Sequence, residues 1–185
     1  DALYEVSDAL FDAYQNGSYS IEEALNPTVV TDGPAAEIIP AQDEDGYYLI
    51  GTTKQFVAYR TIASELDKYA KGKLTADVDM AGIAMLPIGH NRGENAMHIF
   101  AGEFDGQGHT ITYTMTANQE IVGLFRALTG TIKNLCVAGT IYTSYKKAGG
   151  IVAEIFGGTI QNCLSSVNIE SDFNDDAAYA GIAFR

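Results

Sequence analysis

Asp105 and His109 stand four residues apart in a glycine-dense turn, Phe104-Asp105-Gly106-Gln107-Gly108-His109. A carboxylate and an imidazole at that separation are the parts of an acid–base pair. A general base also needs a positioned partner and a pocket, and the sequence supplies neither. The plainer role is local: Asp105 caps the turn, while Gly106 and Gly108 take positive φ. Asp77 and Asp79, two apart in a strand pattern, project to one side. With Glu103 or Asp105 they would form the oxygen cluster that calcium takes. No EF-hand loop or calcium-binding nonapeptide repeat accompanies them. Asp175-Asp176 offers the two carboxylates that glycoside hydrolysis needs, but neighbouring aspartates in an acidic loop are ordinarily only solvated. His90 and His98 lie eight apart with no cysteine nearby, which does not match a zinc spacing. The expectation is a chain with no catalytic, cofactor-binding or metal-binding residues and no cofactor.

Cys136 and Cys163 are too far apart for a metal spacing, and two cysteines make no disulfide framework. The chain has no Trp, which counts against a flat aromatic sugar platform, but its 11 Tyr can take that part. Tyr142 and Tyr145 are the first candidates. Thr110, Thr112 and Thr114 form one threonine row on one strand, too few for a ladder.

These residues sit in a loose repeat. Gly123-Leu124-Phe125 is echoed by Gly150-Ile151-Val152 and by Gly181-Ile182-Ala183. Gly130-Thr131-Ile132-Lys133-Asn134 recurs as Gly158-Thr159-Ile160-Gln161-Asn162. From Ile99 onward short strands alternate with glycine turns, and helical periodicity is missing. A period of about 28 residues predicts stacked coils of a β-solenoid, one coil per repeat. A sandwich of hairpins fits less well, because hairpin turns such as Asn-Gly are missing there. In the aligned repeats Asn134 and Asn162 fall at one place and should stack. Cys136 matches Leu164 and Cys163 matches Leu135, so the two thiols should face opposite sides and stay free.

Earlier in the chain, residues 2–15 read as a helix, with Leu3, Val6, Leu10 and Tyr14 on one face. A short second helix follows, opened by the Ser20 and Glu23 capping box. Tyr47-Tyr48-Leu49-Ile50 is a strand by composition. Thr52 or Thr53 caps a helix over residues 54–70 whose buried stripe would be Phe56, Tyr59, Ile62, Leu66 and Tyr69, closed by Gly72. That helix should cover the first coil, whose backbone would otherwise be unpaired. Leu74-Thr75-Ala76-Asp77-Val78-Asp79-Met80 alternates as a strand, and residues 81–98 read as a long loop.

Net charge is −13, which repels phosphate backbones and anionic membrane surfaces, so no nucleic-acid partner is expected. Residues 1–46 hold 11 acids and no Lys or Arg; residues 47–185 are nearly balanced. No apolar run approaches the length of a membrane span, and no membrane insertion is expected. The division expected is an acidic, partly helical segment with linker at 1–46 and a solenoid domain at 47–185. Its last coil would end unpaired at the C-terminal edge. Further residues of a longer chain, or another copy, are expected to cover that edge.

Taken together, the Tyr-rich strand, the helix, Leu74-Thr75-Ala76-Asp77-Val78-Asp79, Pro87-Ile88-Gly89, Phe104-Asp105-Gly106-Gln107-Gly108-His109-Thr110-Ile111 and the glycine repeats resemble bacterial surface and secreted proteins with GLUG repeats. These also precede the catalytic unit of IgA-cleaving metallopeptidases. The resemblance covers residues 47–185. It departs where Arg126 follows Phe125 in place of a closing glycine, and again at Gly181-Ile182-Ala183. It implies a mainly β fold, a right-handed parallel β-helix with a small helical N-terminal segment. It implies a non-catalytic, adhesin-like interaction domain of a secreted or cell-surface bacterial protein, with a host or cell-surface glycan or protein as partner. The alternatives are an accessory domain of an exported protease or hydrolase, and a β-helical polysaccharide-degrading enzyme. The Gly-His-Gly and Arg-x-Lys motifs of such enzymes do not occur here.

Overall fold

Short strands, rich in Thr, Ile and Val and broken by Gly and Asn, build this chain. The computed structural model describes residues 39–83, 85–90, 98–117, 120–173 and 178–183. The two helices expected within residues 2–26, most of the acidic segment, and Asp175-Asp176 lie outside the described residues.

The elements run β1 (Tyr47–Ile50), α1 (Thr53–Thr61), β2 (Lys71–Leu74), β3 (Val78–Asp79), β4 (Glu103–Asp105), β5 (Thr110–Thr116), β6 (Ile121–Leu128), β7 (Thr131–Lys133), β8 (Cys136–Thr143), β9 (Lys147–Ile155), β10 (Thr159–Gln161), β11 (Leu164–Ser171) and β12 (Ala178–Ala180). They form three sheets. The first has the order β1-β2-β4-β7-β10, the second β3-β5-β8-β11, the third β6-β9-β12. All of these strand pairs are parallel. From β4 on, the chain visits the three sheets in fixed order, and each circuit, or pass, lays its strands beside those of the one before. Glu103 pairs with Thr131, and Thr131 with Thr159, so the step along the sequence is the same both times. The fold is therefore mainly β, with parallel sheets and, among the described residues, one short α-helix, and it is not a sandwich of antiparallel hairpins.

Alternation decides what faces inward. On β5, Ile111, Tyr113 and Met115 are buried while Thr112 and Thr114 are exposed. In the first sheet the row Tyr48, Gly72, Phe104, Ile132, Ile160 points into the core. Rings chain the core together. Tyr59 of α1 meets Phe104 at 5.5 Å, Phe104 meets Phe125 at 5.5 Å, and Phe125 meets Phe100 at 5.0 Å. Each such pair adds about 0.5–1.5 kcal/mol beyond its buried area. The helix thus anchors to the stack through Tyr59.

Thr52 is the N-cap, its hydroxyl accepting from the Gln55 N–H at 3.2 Å. The helix is shorter than the sequence pattern suggests. Regular α-helix stops at Thr61, one π-helical turn spans Ile62–Leu66, and Asp67 is extended. Phe56, Tyr59 and Ile62 are buried as expected, but Tyr69 lies beyond the helix and is 62% exposed. Gly72 does not close the helix; it lies in β2 beneath the Tyr59 ring. The alternating run 74–80 is likewise two strands, β2 and β3, separated by a corner at residues 75–77. Within the expected loop, Ile88 forms a parallel bridge to Phe125, and Phe100 bridges Leu128 just beyond it.

Gly139 shows how tightly adjacent passes fit. It lies opposite the buried Tyr113 on β5, at φ +121°, and a Cβ there would stand 1.8 Å from the Tyr113 carbonyl oxygen. No side chain relieves that overlap without moving backbone. Gly139→Ala is expected to lower unfolding free energy by about 2–4 kcal/mol in urea denaturation. Gly157→Ala, where a Cβ meets nothing within 4 Å, should stay within about 0.5 kcal/mol of wild type. Equal stabilities for the two variants would contradict the packing described.

Candidate functional site

The corner between the first and second sheets carries the expected asparagine stack. Asn162 Nδ2 donates to Asn134 Oδ1 at 2.8 Å, and Asn134 Nδ2 donates to Asp105 Oδ1 at 3.0 Å. Asn134 and Asn162 both have positive φ, a conformation Asn tolerates better than most residues. Asp105 also accepts the Gln107 N–H at 3.0 Å, so it caps its turn. Of the two turn glycines, Gly108 has positive φ; the other positive-φ residue there is Gln107, not Gly106. Gly106 is required for a different reason, since a Cβ would stand 2.5 Å from the Asn134 carbonyl oxygen. Asp105 and His109 do not pair as an acid–base dyad, in line with the local role expected of Asp105. His109 Nδ1 lies instead 3.2 Å from Asp77 Oδ1, which also accepts the Thr110 N–H at 2.9 Å. These two contacts, the Thr110 N–H first, hold the Asp77 carboxyl below its usual range. Asp79 accepts the Ala81 N–H. Among the described residues no group of three His, Cys, Asp or Glu side chains is arranged to hold a metal ion.

The outer face of the first sheet carries a polar row that the sequence did not announce. Lys133 pairs with Glu103 and lies 3.5 Å from Asp105, while the Tyr47 hydroxyl donates to Glu103 at 2.7 Å. Burial, and then the bond to Glu103, push the Tyr47 hydroxyl up to about 12. The Lys133 ammonium, and then Tyr47, hold Glu103 below its ordinary range. At Asp105 burial acts upward, but the Asn134 amide, the Gln107 N–H and Lys133 outweigh it, and the net shift is downward. Repeat alignment carries the missed signal, since Asp105 and Lys133 stand one repeat apart and pair in register. The arrangement is structural: every one of these groups is already taken by a neighbour.

The cysteines follow the aligned repeats. Cys136 pairs in register with Leu164, Cys163 packs at the core beside Ile132, and both are free thiols. Burial raises the Cys163 thiol.

An open groove lies at the corner between the second and third sheets. Thr116, Tyr142 and Glu170 occupy one outward row on β5, β8 and β11. They flank a groove of about 360 Å³, completed by Ala117, Thr143, Ser144, Ser171 and Asp172. Tyr142 is 44% exposed. The walls are held. Thr143 Oγ1 accepts the Tyr145 N–H at 3.0 Å, and Asn168 Nδ2 donates to Glu170 at 2.9 Å. The Tyr179 hydroxyl donates to the Tyr145 carbonyl at 3.0 Å and meets the Ser171 hydroxyl. Tyr142 and Tyr145 were legible as candidates; Thr116, Glu170 and Tyr179 were not, because their place beside them depends on contacts between passes. A hollow of about 510 Å³ beside the π turn is lined mainly by the single segment 64–69, with His98 Nδ1 2.6 Å from the Ser64 carbonyl oxygen.

No protein-family model matches the chain, and no curated protein or solved structure matches it significantly.

The first corner can be tested by substitution and by acid. Asn134→Gly keeps the backbone conformation but removes both side-chain bonds, and should cost about 1–2 kcal/mol in urea denaturation. Asn134→Ala should cost about 1 kcal/mol more, the added strain of a left-handed alanine. The reverse order would contradict the ladder. For pH, the folded carboxyls of Asp105 and Glu103 are depressed from ordinary values of 3.8 and 4.5. Their contribution is therefore complete above those values and is lost as pH falls through the lower folded ones. Stability should drop between about pH 5 and pH 2, and Asp105→Asn should make that drop shallower. An unchanged acid limb in the variant would count against it.

Proposed function

We propose that this chain is a non-catalytic, adhesin-like interaction domain of a secreted or surface-anchored bacterial protein, folded as a right-handed parallel β-helix and related to GLUG-repeat proteins. The β-helix reading is supported by three parallel sheets visited in constant order. Its handedness follows from the strong preference for right-handed crossovers between parallel strands. The interaction reading rests on one observation above the others. Tyr142 stands exposed on an in-register strand, in a groove whose surrounding polar groups are fixed by bonds to each other. An exposed tyrosine has few side-chain torsions to immobilise, so it costs little entropy to engage a partner. The partner is a glycan or protein on a host or cell surface.

A second contact surface is the outer edge of β10, β11 and β12. There Leu164 is 63% exposed, and Ile160, Val167 and Ile169 are only partly covered, whereas Ile132 and Ile141 one pass earlier are buried. A strand from further residues or from another copy would complete the edge.

A hydrolase remains the competing reading, because Glu170 and Asp172 share the groove. Both are exposed, and a general acid needs a sheltered carboxyl. An array of glycans and extracellular proteins, run beside a reducing-end assay on the bound glycans, separates the readings. Saturable binding without release of reducing ends is expected. Turnover abolished by Glu170→Gln would replace this reading with the hydrolase.

A further inference from the structure

The groove beside Tyr142 has the chemistry of a particular ligand. Its row of Thr116, Tyr142 and Glu170 runs along the stacking direction, one residue per pass. Adjacent parallel strands are about 4.8 Å apart, so the row repeats at close to the length of one pyranose ring along a chain. The middle residue offers an apolar ring face. Residues on either side offer hydroxyls and carboxylates, and Ser144 and Asp172 add one of each.

A sugar presents the matching surface. The C–H face of a pyranose is apolar and lies flat against an aromatic ring, while its rim of hydroxyls donates and accepts. Ionised Glu170 and Asp172 accept only, so they select ligand donors, and a sugar hydroxyl is one. The same two carboxylates, side by side in the groove, repel uronic, sialic and sulfated sugars. A peptide would also find the Tyr, but the other lining side chains are Thr, Ser, Glu, Asp and one Ala, with no second large apolar side chain to grip a peptide anchor.

We infer that this groove binds an uncharged oligosaccharide lengthwise along the stack, with one ring on Tyr142 and the hydroxyls of its neighbours on Thr116 and Glu170. The inference rests on the interaction reading above and names its ligand class.

Short oligomers of glucose and of N-acetylglucosamine are the probes, titrated into the intact chain and followed by amide chemical shifts and calorimetry. Shifts concentrated at Thr116, Tyr142, Ser144 and Glu170 are expected. Tyr142→Ala should weaken binding about tenfold or more, and Glu170→Gln should also weaken it. Tyr69→Ala, an exposed tyrosine outside the groove, should leave affinity unchanged. All three side chains are at least partly exposed, and unchanged melting curves would show that the variants fold. Equal affinity in wild type, Tyr142→Ala and Glu170→Gln would overturn the inference. So would binding only to acidic sugars or to a protein, which would leave the interaction reading standing. Failure to bind any glycan or protein would overturn both.

Discussion

The inner strands of each sheet are held in parallel register between the strand one pass before and the strand one pass after, and this constraint fixes most of what else is seen. A pass cannot slip along its neighbours without turning its core residues outward. The corners must therefore return the chain in register. At Asn134 and Asn162 a single left-handed residue makes the turn, and the Asn162 amide then bonds to the equivalent corner one pass earlier. At residues 106–109 the corner is longer, and Asp105 ends the ladder by accepting the Asn134 amide. Inside, the Tyr113 backbone lies tight against Gly139, and the Tyr113 hydroxyl reaches the third sheet to donate to the Gly150 carbonyl. Helix α1 works at the first edge, where Tyr59 continues the ring contacts that run through Phe104 to Phe125.

The parts legible in the sequence are those set by the repeat. Asn134 and Asn162, one repeat apart, occupy one place because the strands that precede them pair in exact register. The offset of Cys136 from Cys163 is readable for the same reason. The parts that were not legible arise from contacts between different positions. Tyr69 matches a helical stripe, but the π turn after Thr61 shifts the chain and leaves that ring outside. Alternation over residues 74–80 reads as one strand, whereas the fold needs a corner there to pass from the first sheet to the second. The groove at Tyr142 was half legible. A tyrosine outside the repeated motif attracts notice, yet its alignment with Thr116 and Glu170 depends on pairings with strands a full pass away on either side.

Stacking also explains where an interaction surface can form. The inward faces are filled, and the outer face of the first sheet is consumed by the pairings of Lys133 with Glu103 and Asp105. The outward ends of the second-sheet strands are different, because their residue types vary from pass to pass while strand pairing holds their spacing. A row of unlike residues at fixed intervals results, and such a row suits an extended ligand with a repeating shape.

The central claim is that equivalent residues of successive passes lie side by side and parallel. Cross-strand nuclear Overhauser contacts to Ala138 test it most directly, since that residue pairs with Thr112 on one side and Ser166 on the other. The account predicts backbone contacts from Ala138 to both neighbours, in the staggered pattern of parallel strands. Contacts from β8 to its sequence neighbour β9 in an antiparallel pattern, with none to Thr112 or Ser166, would contradict it.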